Sequence, residues 1–263
     1  MNSRRRALMG LWAAAVSPGV VWAAQRASLA DPLRFAADDA LVDSGLAAAL
    51  QRGFGRDTGV AIQLLRGPAS TLLAALARGE HDVALANAPQ VEADLAQQGL
   101  IHDIRPFAST DFVLTGPTAL AKALAAESDA SLALARLAQA QAPFITLADG
   151  SGTHLAEQAL WRSAKVAPAA PWYTAATPGS SLLAQARAAK ACTLVERGVW
   201  AAAGAGKGYG VLVAGDPRMA VDVRVMRSFH AKHPGGTLFA DWITGPHGRR
   251  VLASLRAYRA AKS

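Results

Sequence analysis

After Pro32, short apolar runs alternate with stretches whose apolar residues recur at helical spacing. The runs are short enough for strands, and the spacing of the others predicts amphipathic helices. An alternation of this kind predicts a mostly parallel sheet with helices on both faces. The first predicted elements are strands at 33–36, 60–65 and 83–86 and helices at 44–56 and 70–77.

A second set of elements follows the apolar run 112–115, which leads out of the first region. The run 211–213 brings the chain back, and residues 237–261 are predicted to be helical, interrupted at Gly245-Pro246. We expect an α/β fold of two lobes, joined by two crossovers, with a ligand cleft between them. The predicted segments are 24–115 for lobe 1, 116–209 for lobe 2 and 210–263 for the return to lobe 1. Within lobe 2 the predicted elements are a helical stretch at 118–141, a helix at 152–164 and strands at 144–146, 172–173 and 192–194.

The N-terminus has the pattern of an export signal. Arg4, Arg5 and Arg6 precede the apolar stretch 7–16, and Val21-Trp22-Ala23 is a small-residue cleavage site. We expect residues 1–23 to be a cleavable signal peptide, by the Sec or the twin-arginine route, with a membrane-anchored signal as the alternative. No later apolar run is long enough for a membrane span, so we expect the mature chain to be free in the periplasm.

The composition and net charge limit the classes of ligand and partner that we expect for this chain. The formal net charge is +8, of which the three arginines of the signal contribute +3. The remaining +5 suits a small anionic ligand or solubility. No basic stripe is interleaved with aromatic residues, so we expect no nucleic-acid binding. The single cysteine, Cys192, leaves no internal disulfide or cysteine metal site and is predicted to be a buried core thiol.

Several short strings occur in a specific order along the chain. Together they resemble the tungstate-binding proteins of ABC transporters across nearly the whole mature chain. The resemblance implies a two-lobed periplasmic-binding-protein fold, type II-like, that closes on its ligand, and a membrane permease and an ATPase as partners. We expect a monomer without a cofactor. The strings are Asp43-Ser44-Gly45-Leu46, Asn87-Ala88-Pro89, Asp111-Phe112-Val113, Asp149-Gly150-Ser151-Gly152-Thr153-His154, Trp172-Tyr173, Gly215-Asp216-Pro217 and Asp241-Trp242-Ile243.

Two of these strings fall at predicted helix starts, where hydroxyls and free backbone N–H groups can hold a tetrahedral oxyanion. Ser44 precedes one helix, and Ser151-Gly152-Thr153 opens another. Ordinary N-capping is the alternative role. The resemblance places both strings at ligand-binding loops, so tungstate or molybdate is the leading ligand. The predicted ligand-binding residues are Asp38, Asp39, Ser44, Arg66, Gly67, Ser151, Gly152, Thr153 and His154.

The chain departs from the family pattern at three places. Asp38 and Asp39 stand in a loop where the family has threonines and serines, Leu147 stands in place of an arginine, and Arg66-Gly67-Pro68 replaces a glycine-rich turn. A dianion 4 Å from one ionised aspartate would feel about 8 kcal/mol of repulsion at an effective dielectric of about 20. Either Arg66 neutralises the aspartates, or they point away, or the ligand is not tungstate.

Other functions are left as alternatives. Asp38, Asp39, Asp149 and His154 offer donors for a cationic or zwitterionic ligand or a divalent metal. The chain has no nucleophile elbow and no phosphate-binding P-loop, so we do not expect an enzyme. A metal-dependent enzyme and a signalling adaptor that has lost transport stay open as further alternatives.

Overall fold

The structure is a computed structural model, and it describes residues 28–124 and 128–261. The predicted signal peptide, 1–23, lies outside the described residues. The strands are β1 Leu33–Asp38, β2 Ile62–Gly67, β3 Val83–Ala86, β4 Ile101–Pro117, β5 Phe144–Thr146, β6 Tyr173–Ala175, β7 Thr193–Glu196, β8 Tyr209–Val213, β9 Ala220–Ser228 and β10 Arg259–Ala260. The helices are α1 Asp39–Asp43, α2 Leu46–Thr58, α3 Ala69–Ala77, α4 Pro89–Gln97, α5 Ala121–Leu124, α6 Ala130–Gln139, α7 Gly152–Ser163, α8 Leu182–Ala189, α9 Arg197–Ala203, α10 Gly235–Thr244 and α11 Pro246–Ala253.

Lobe 1 is built on a sheet with strand order β10-β4-β9-β3-β1-β2. Strand β1 pairs in parallel with β2 and β3, whereas β9 is antiparallel to both β3 and β4. The prediction of a mostly parallel sheet is therefore wrong beyond the first three strands. The fold is mixed α/β because strands β4 and β9, which run between the lobes, pair with each other in opposite directions.

Strand β4 connects the two lobes. Its residues from Ile101 to Asp111 pair with β9, and its residues from Phe112 to Pro117 pair with β7 and β8. Strands β7 and β8, the end of β4 that pairs with them, the two-stranded sheet β5-β6 and helices α5 to α9 form lobe 2. The segment boundaries predicted at residues 115 and 209 stay a prediction.

Side chains that alternate along the strands bury both faces of the lobe 1 sheet. Phe35 and Ala37 point to one face, where α2, α10 and α11 pack, and Ala36 points to the other, beneath α3 and α4. In lobe 2, Leu114 and Val113 divide in the same way between two apolar clusters. Each lobe therefore has its own core.

The C-terminal and alanine-rich regions differ from the sequence prediction. The predicted break at Gly245-Pro246 is confirmed, but residues 259–260 form strand β10 instead of continuing a helix. The stretch 118–141 contains a 3₁₀ turn, α5 and α6, with 125–127 outside the described residues. The prediction of a buried core thiol is confirmed, because Cys192 is fully buried. Within the described ranges, every helix is too short or too polar to cross a membrane.

Candidate functional site

A cleft of about 750 Å³ opens between the two lobes. Lobe 1 contributes the ends of β1 and β2 and the short helix α1. Lobe 2 contributes the loop before α7, the loop before α8, and one side of α9. The charged and hydroxyl-bearing residues that line it are Asp39, Asp43, Arg66, Asp149, Ser151, Thr153, Thr177, Ser180, Ser181 and Glu196.

Asp38 lies at the floor where the lobes meet, and it is fully buried. Its Oδ1 accepts a hydrogen bond of 3.0 Å from the N–H of Ala40, and its Oδ2 accepts bonds of 3.0 Å from the N–H groups of Ala69 and Gly152. Burial raises the pKa of Asp38 to about 6, although these three N–H groups act in the opposite direction. Backbone donors of both lobes therefore converge on the two carboxyl oxygens, an arrangement that favours the ionised form.

The local sequence explains why these donors are available. Pro68 precedes α3 and provides no side-chain cap, so the N–H of Ala69, the first residue of the helix, needs another acceptor. Ser151 caps α7 by accepting a hydrogen bond from the N–H of His154. The N–H of Gly152, the first residue of α7, therefore needs a different acceptor. Asp38 is the acceptor for both groups.

Arg66 forms ion pairs with two aspartates at the rim of the cleft. Its Nε lies 2.7 Å from Oδ1 of Asp39, and its Nη2 lies 3.0 Å from Oδ1 of Asp43. The Arg66 side chain is 53% exposed, so the pairs are worth about 1 kcal/mol or less. Of the three sequence alternatives, Arg66 compensates Asp39, whereas Asp38 is turned away from Arg66 into the floor.

The loop before α7 is fixed by its own hydrogen bonds. The N–H of Ser151 donates to Asp149, and the N–H of Gly150 donates to Nδ1 of His154 at 3.0 Å. His154 is therefore a neutral acceptor, and burial lowers its pKa. The N–H of Ser70 in lobe 1 donates to the Gly150 carbonyl at 3.1 Å, so this loop touches the opposite lobe directly.

A buried carboxylate lies on the hinge side of the cleft. Glu196 is the last residue of β7, and its Oε1 accepts a 2.5 Å hydrogen bond from the hydroxyl of Tyr258 in lobe 1. That hydroxyl also lies 2.7 Å from Oγ of Ser44. Burial raises the pKa of Glu196 to about 7, and the charge of Asp38 acts in the same direction.

The structure brings together some of the predicted ligand-binding residues and separates others. Asp39, Arg66, Ser151 and Thr153 line the cleft. The remaining five lie behind its surface: Asp38 and Gly152 in the floor, Gly67 beside Asp38 in the β1–β2 register, Ser44 against Tyr258, and His154 within its own loop. Leu147 lines the cleft, and Arg66 is the only cationic lining residue in the described part of the chain. Among those residues, no three His, Cys, Asp or Glu side chains come together as a metal site.

Two features of the cleft were not predicted from the sequence as part of the site. The loop containing Thr177, Ser180 and Ser181 lines lobe 2, and its Thr-Pro-Gly-Ser-Ser composition is the signal that a search for hydroxyl-rich turns would have found. Asn87 is 1% exposed and packs against Gly152 across the lobes. It belongs to one of the strings that carry the resemblance, yet only the packed structure places it beside α7.

Comparisons with known proteins agree with this architecture. The model of the PBP superfamily domain matches residues 23–247. The putative ABC transporter anion-binding protein of Haloferax volcanii is 26% identical over 86% of this chain and 69% of its own length. The tungstate-binding protein TupA of Peptoclostridium acidaminophilum is 27% identical over 80% of this chain and 76% of its own length.

A solved structure gives the same result. The tungstate ABC transporter structure from Geobacter sulfurreducens is 28% identical, with a TM-score of 0.73 and coverage of 85% of this chain and 98% of that one. The predicted resemblance to tungstate-binding proteins of ABC transporters and the predicted periplasmic-binding-protein fold are both confirmed. The chain therefore belongs to the family described as the PBP superfamily domain.

Proposed function

We propose that this protein is the solute-binding component of an ABC importer and that it captures an oxyanion, tungstate or molybdate, between its lobes. One observation carries the proposal: backbone N–H groups from the first residues of α3 and α7, in opposite lobes, converge on a single anionic group at the cleft floor. Helix N-termini favour anions because their N–H groups are unpaired and the helix dipole is positive there. The relatives named for anion and tungstate binding support the same ligand class.

The remainder of the proposal follows from the transport role. An importer needs a membrane permease and an ATPase, and we propose both as partners. We propose a periplasmic location, a monomeric state and no cofactor. The relatives are named as binding proteins and not as enzymes, so we propose capture and release without catalysis.

The charge of the cleft favours a second candidate, a cationic or zwitterionic ligand. Among the described residues, the aspartates Asp39, Asp43 and Asp149 and the buried Glu196 line the cleft with one guanidinium, that of Arg66. To hold a dianion, Arg66 must turn from its aspartates towards the ligand. To hold an amine, the aspartates need only exchange Arg66 for the ligand cation.

Arg66→Ala separates the two candidates. With an oxyanion ligand, loss of the guanidinium leaves two unneutralised carboxylates near a dianion, so affinity for tungstate should fall by more than about tenfold. With a cationic ligand, the same change frees Asp39 and Asp43, and affinity should stay or rise. Arg78→Ala is the matched control, since Arg78 is a similarly exposed arginine paired with Glu80 outside the cleft.

Calorimetry and thermal unfolding with tungstate, molybdate, sulfate, divalent cations and amines provide the measurement. A ligand at 100 times its Kd stabilises the folded protein by about 2.7 kcal/mol, which is a readily measured rise in Tm. Stabilisation by cations or amines alone would replace the oxyanion proposal with the second candidate.

A further inference from the structure

The floor of the cleft already contains an anion. The Asp38 carboxylate, in lobe 1, receives the N–H of Ala69 from its own lobe and the N–H of Gly152 from lobe 2, each at 3.0 Å. A third N–H, from Ala40, completes the set. Asp38 is 0% exposed, so no solvent reaches this group while the lobes are together.

We propose that Asp38 is an internal anion that occupies the oxyanion position of this cleft and holds the lobes closed without a ligand. A free oxyanion can use the same N–H groups only after the Asp38 carboxylate has left them. The nature of that competing ligand rests on the proposed function, whereas closure of the lobes depends on Asp38 alone.

A second observation indicates that the position is built for a larger anion than a carboxylate. The Asn87 side chain is 1% exposed, and within the described residues neither its Oδ1 nor its Nδ2 has a hydrogen-bond partner. It packs directly against Gly152, the residue whose N–H Asp38 accepts. A carboxylate has two oxygens and uses three N–H groups here, which leaves the Asn87 amide unused. The Asn87 atom that faces Gly152 is Oδ1, so the amide has to turn over to present its donor Nδ2. A tetrahedral oxyanion has four oxygens, enough to engage Nδ2 as a further donor.

The other contacts between the lobes fit this account. The N–H of Ser70 donates to the carbonyl of Gly150, and the hydroxyl of Tyr258 donates to Glu196. The Ser70–Gly150 bond joins the two walls of the cleft and requires the lobes to lie against each other, whereas the Tyr258–Glu196 bond lies on the hinge side. Because the bond from Gly152 to Asp38 is a charge-assisted bond in a buried site, it is stronger than a neutral hydrogen bond between the same elements.

The test compares Asp38→Ser with the unmodified protein. The substitution removes the charge of Asp38 and introduces a hydroxyl in its place. Small-angle X-ray scattering without ligand should give a larger radius of gyration for Asp38→Ser than for the unmodified protein. Tungstate should compact the variant and leave the size of the unmodified protein nearly unchanged. The variant should also bind tungstate more than about tenfold more tightly, because a like charge has been removed from the anion position.

Two further variants keep the result interpretable. Asp38→Asn retains the shape without the charge, so it should open the lobes even if the serine variant folds poorly. Asp216→Ser is the matched control: Asp216 is a buried carboxylate that accepts N–H groups of Ala130 and Arg218 within lobe 2. It should lower stability without changing the radius of gyration measured at a temperature where the protein is folded.

The possible outcomes separate this inference from the proposed function. If both Asp38 variants keep the unmodified radius of gyration without ligand, the internal-anion inference is wrong. It is also wrong if tungstate compacts the unmodified protein as much as Asp38→Ser. If Asp38→Ser opens but neither tungstate, molybdate nor sulfate binds it, closure by Asp38 stands and the oxyanion function fails.

Discussion

Gly152→Ala tests the contact between the lobes without altering any charge. Gly152 is the first residue of α7, and its backbone conformation is one that alanine adopts without strain. The added Cβ would overlap Oδ1 of Asn87 and would lie 2.8 Å from its Cγ and 3.1 Å from its backbone carbonyl oxygen. Asn87 belongs to lobe 1, so the collision exists only while the lobes are closed.

Overpacking of this kind costs about 1–3 kcal/mol. Because the cost falls on the closed form alone, the ratio of closed to open molecules should decrease by about 5- to 150-fold. The helix itself is not harmed, since alanine has a helix propensity up to about 1 kcal/mol better than that of glycine. We therefore expect lobe opening with little loss of stability within lobe 2.

The distance between fluorescent labels, one on each lobe, measures the opening. Arg56 in lobe 1 and Lys190 in lobe 2 are exposed positions suitable for cysteine substitution. Cys192 does not interfere, because it is buried and burial raises the pKa of its thiol to about 12. Gly55→Ala is the matched control, since its Cβ would meet only Val60 at 3.6 Å inside lobe 1. An unchanged label distance together with an unchanged free energy of unfolding in Gly152→Ala would refute the reasoning.

Three further predictions concern buried polar groups. Asn87→Leu should raise the free energy of unfolding by about 1–3 kcal/mol, because it removes two unpaired buried polar atoms. When it is combined with Asp38→Ser, it should also weaken the binding of an oxyanion compared with Asp38→Ser alone. Burial raises the pKa of Glu157 from 4.5 to about 7, so folding takes up a proton between these values. The free energy of unfolding should fall as pH rises through this window, and Glu157→Gln should reduce that slope by up to about 1.4 kcal/mol per pH unit. Thr153→Val should weaken oxyanion binding by about 1–3 kcal/mol and change the stability of the ligand-free protein little.

Denaturant unfolding at several pH values and calorimetry check these three predictions. A less stable Asn87→Leu would mean that the amide has a partner that stabilises it. An unchanged pH slope in Glu157→Gln would mean that this carboxyl, which accepts from Trp161 and Tyr173, titrates near its ordinary pKa. A large loss of stability with unchanged affinity in Thr153→Val would make Thr153 a structural residue only.

Sequence periodicity predicted the strands and helices whose buried side chains recur at regular spacing within the element itself. Strands β1 to β3 and helices α2, α3 and α7 have apolar residues at the spacing that their own burial requires, so periodicity identified them. Strand β9 was not identified, although Val221, Val223 and Val225 alternate with polar residues as in a half-buried strand. Two of its polar residues are Arg224 and Arg227. In the structure both arginines pair with carboxylates from other elements, Glu92 and Asp103. These carboxylate partners are distant in sequence, so no local pattern of residues predicts the ion pairs.

The candidate site divides in the same way. The rim could be predicted, because Asp39, Arg66 and Ser151 are polar residues at the ends of predicted elements and the resemblance placed their loops near the ligand. The residues that form the floor of the cleft could not be predicted in this way. Asp38 accepts N–H groups from residues 31 and 114 positions away along the chain. Their convergence is a product of the packing of α3 and α7 and not of any spacing in the sequence.

The two adjacent aspartates therefore need separate tests, although the sequence presents them as a pair. Asp38 ends β1 with its side chain buried and compensated by backbone N–H groups, whereas Asp39 begins α1 with its side chain 28% exposed and paired with Arg66. Removing Asp38 empties the anion position, while removing Asp39 takes away one of the two carboxylates that pair with Arg66. A double substitution would add these effects and could not assign either one. Single substitutions separate them: Asp38→Ser should change the size of the ligand-free protein, and Asp39→Ser should change only its affinity for an anion.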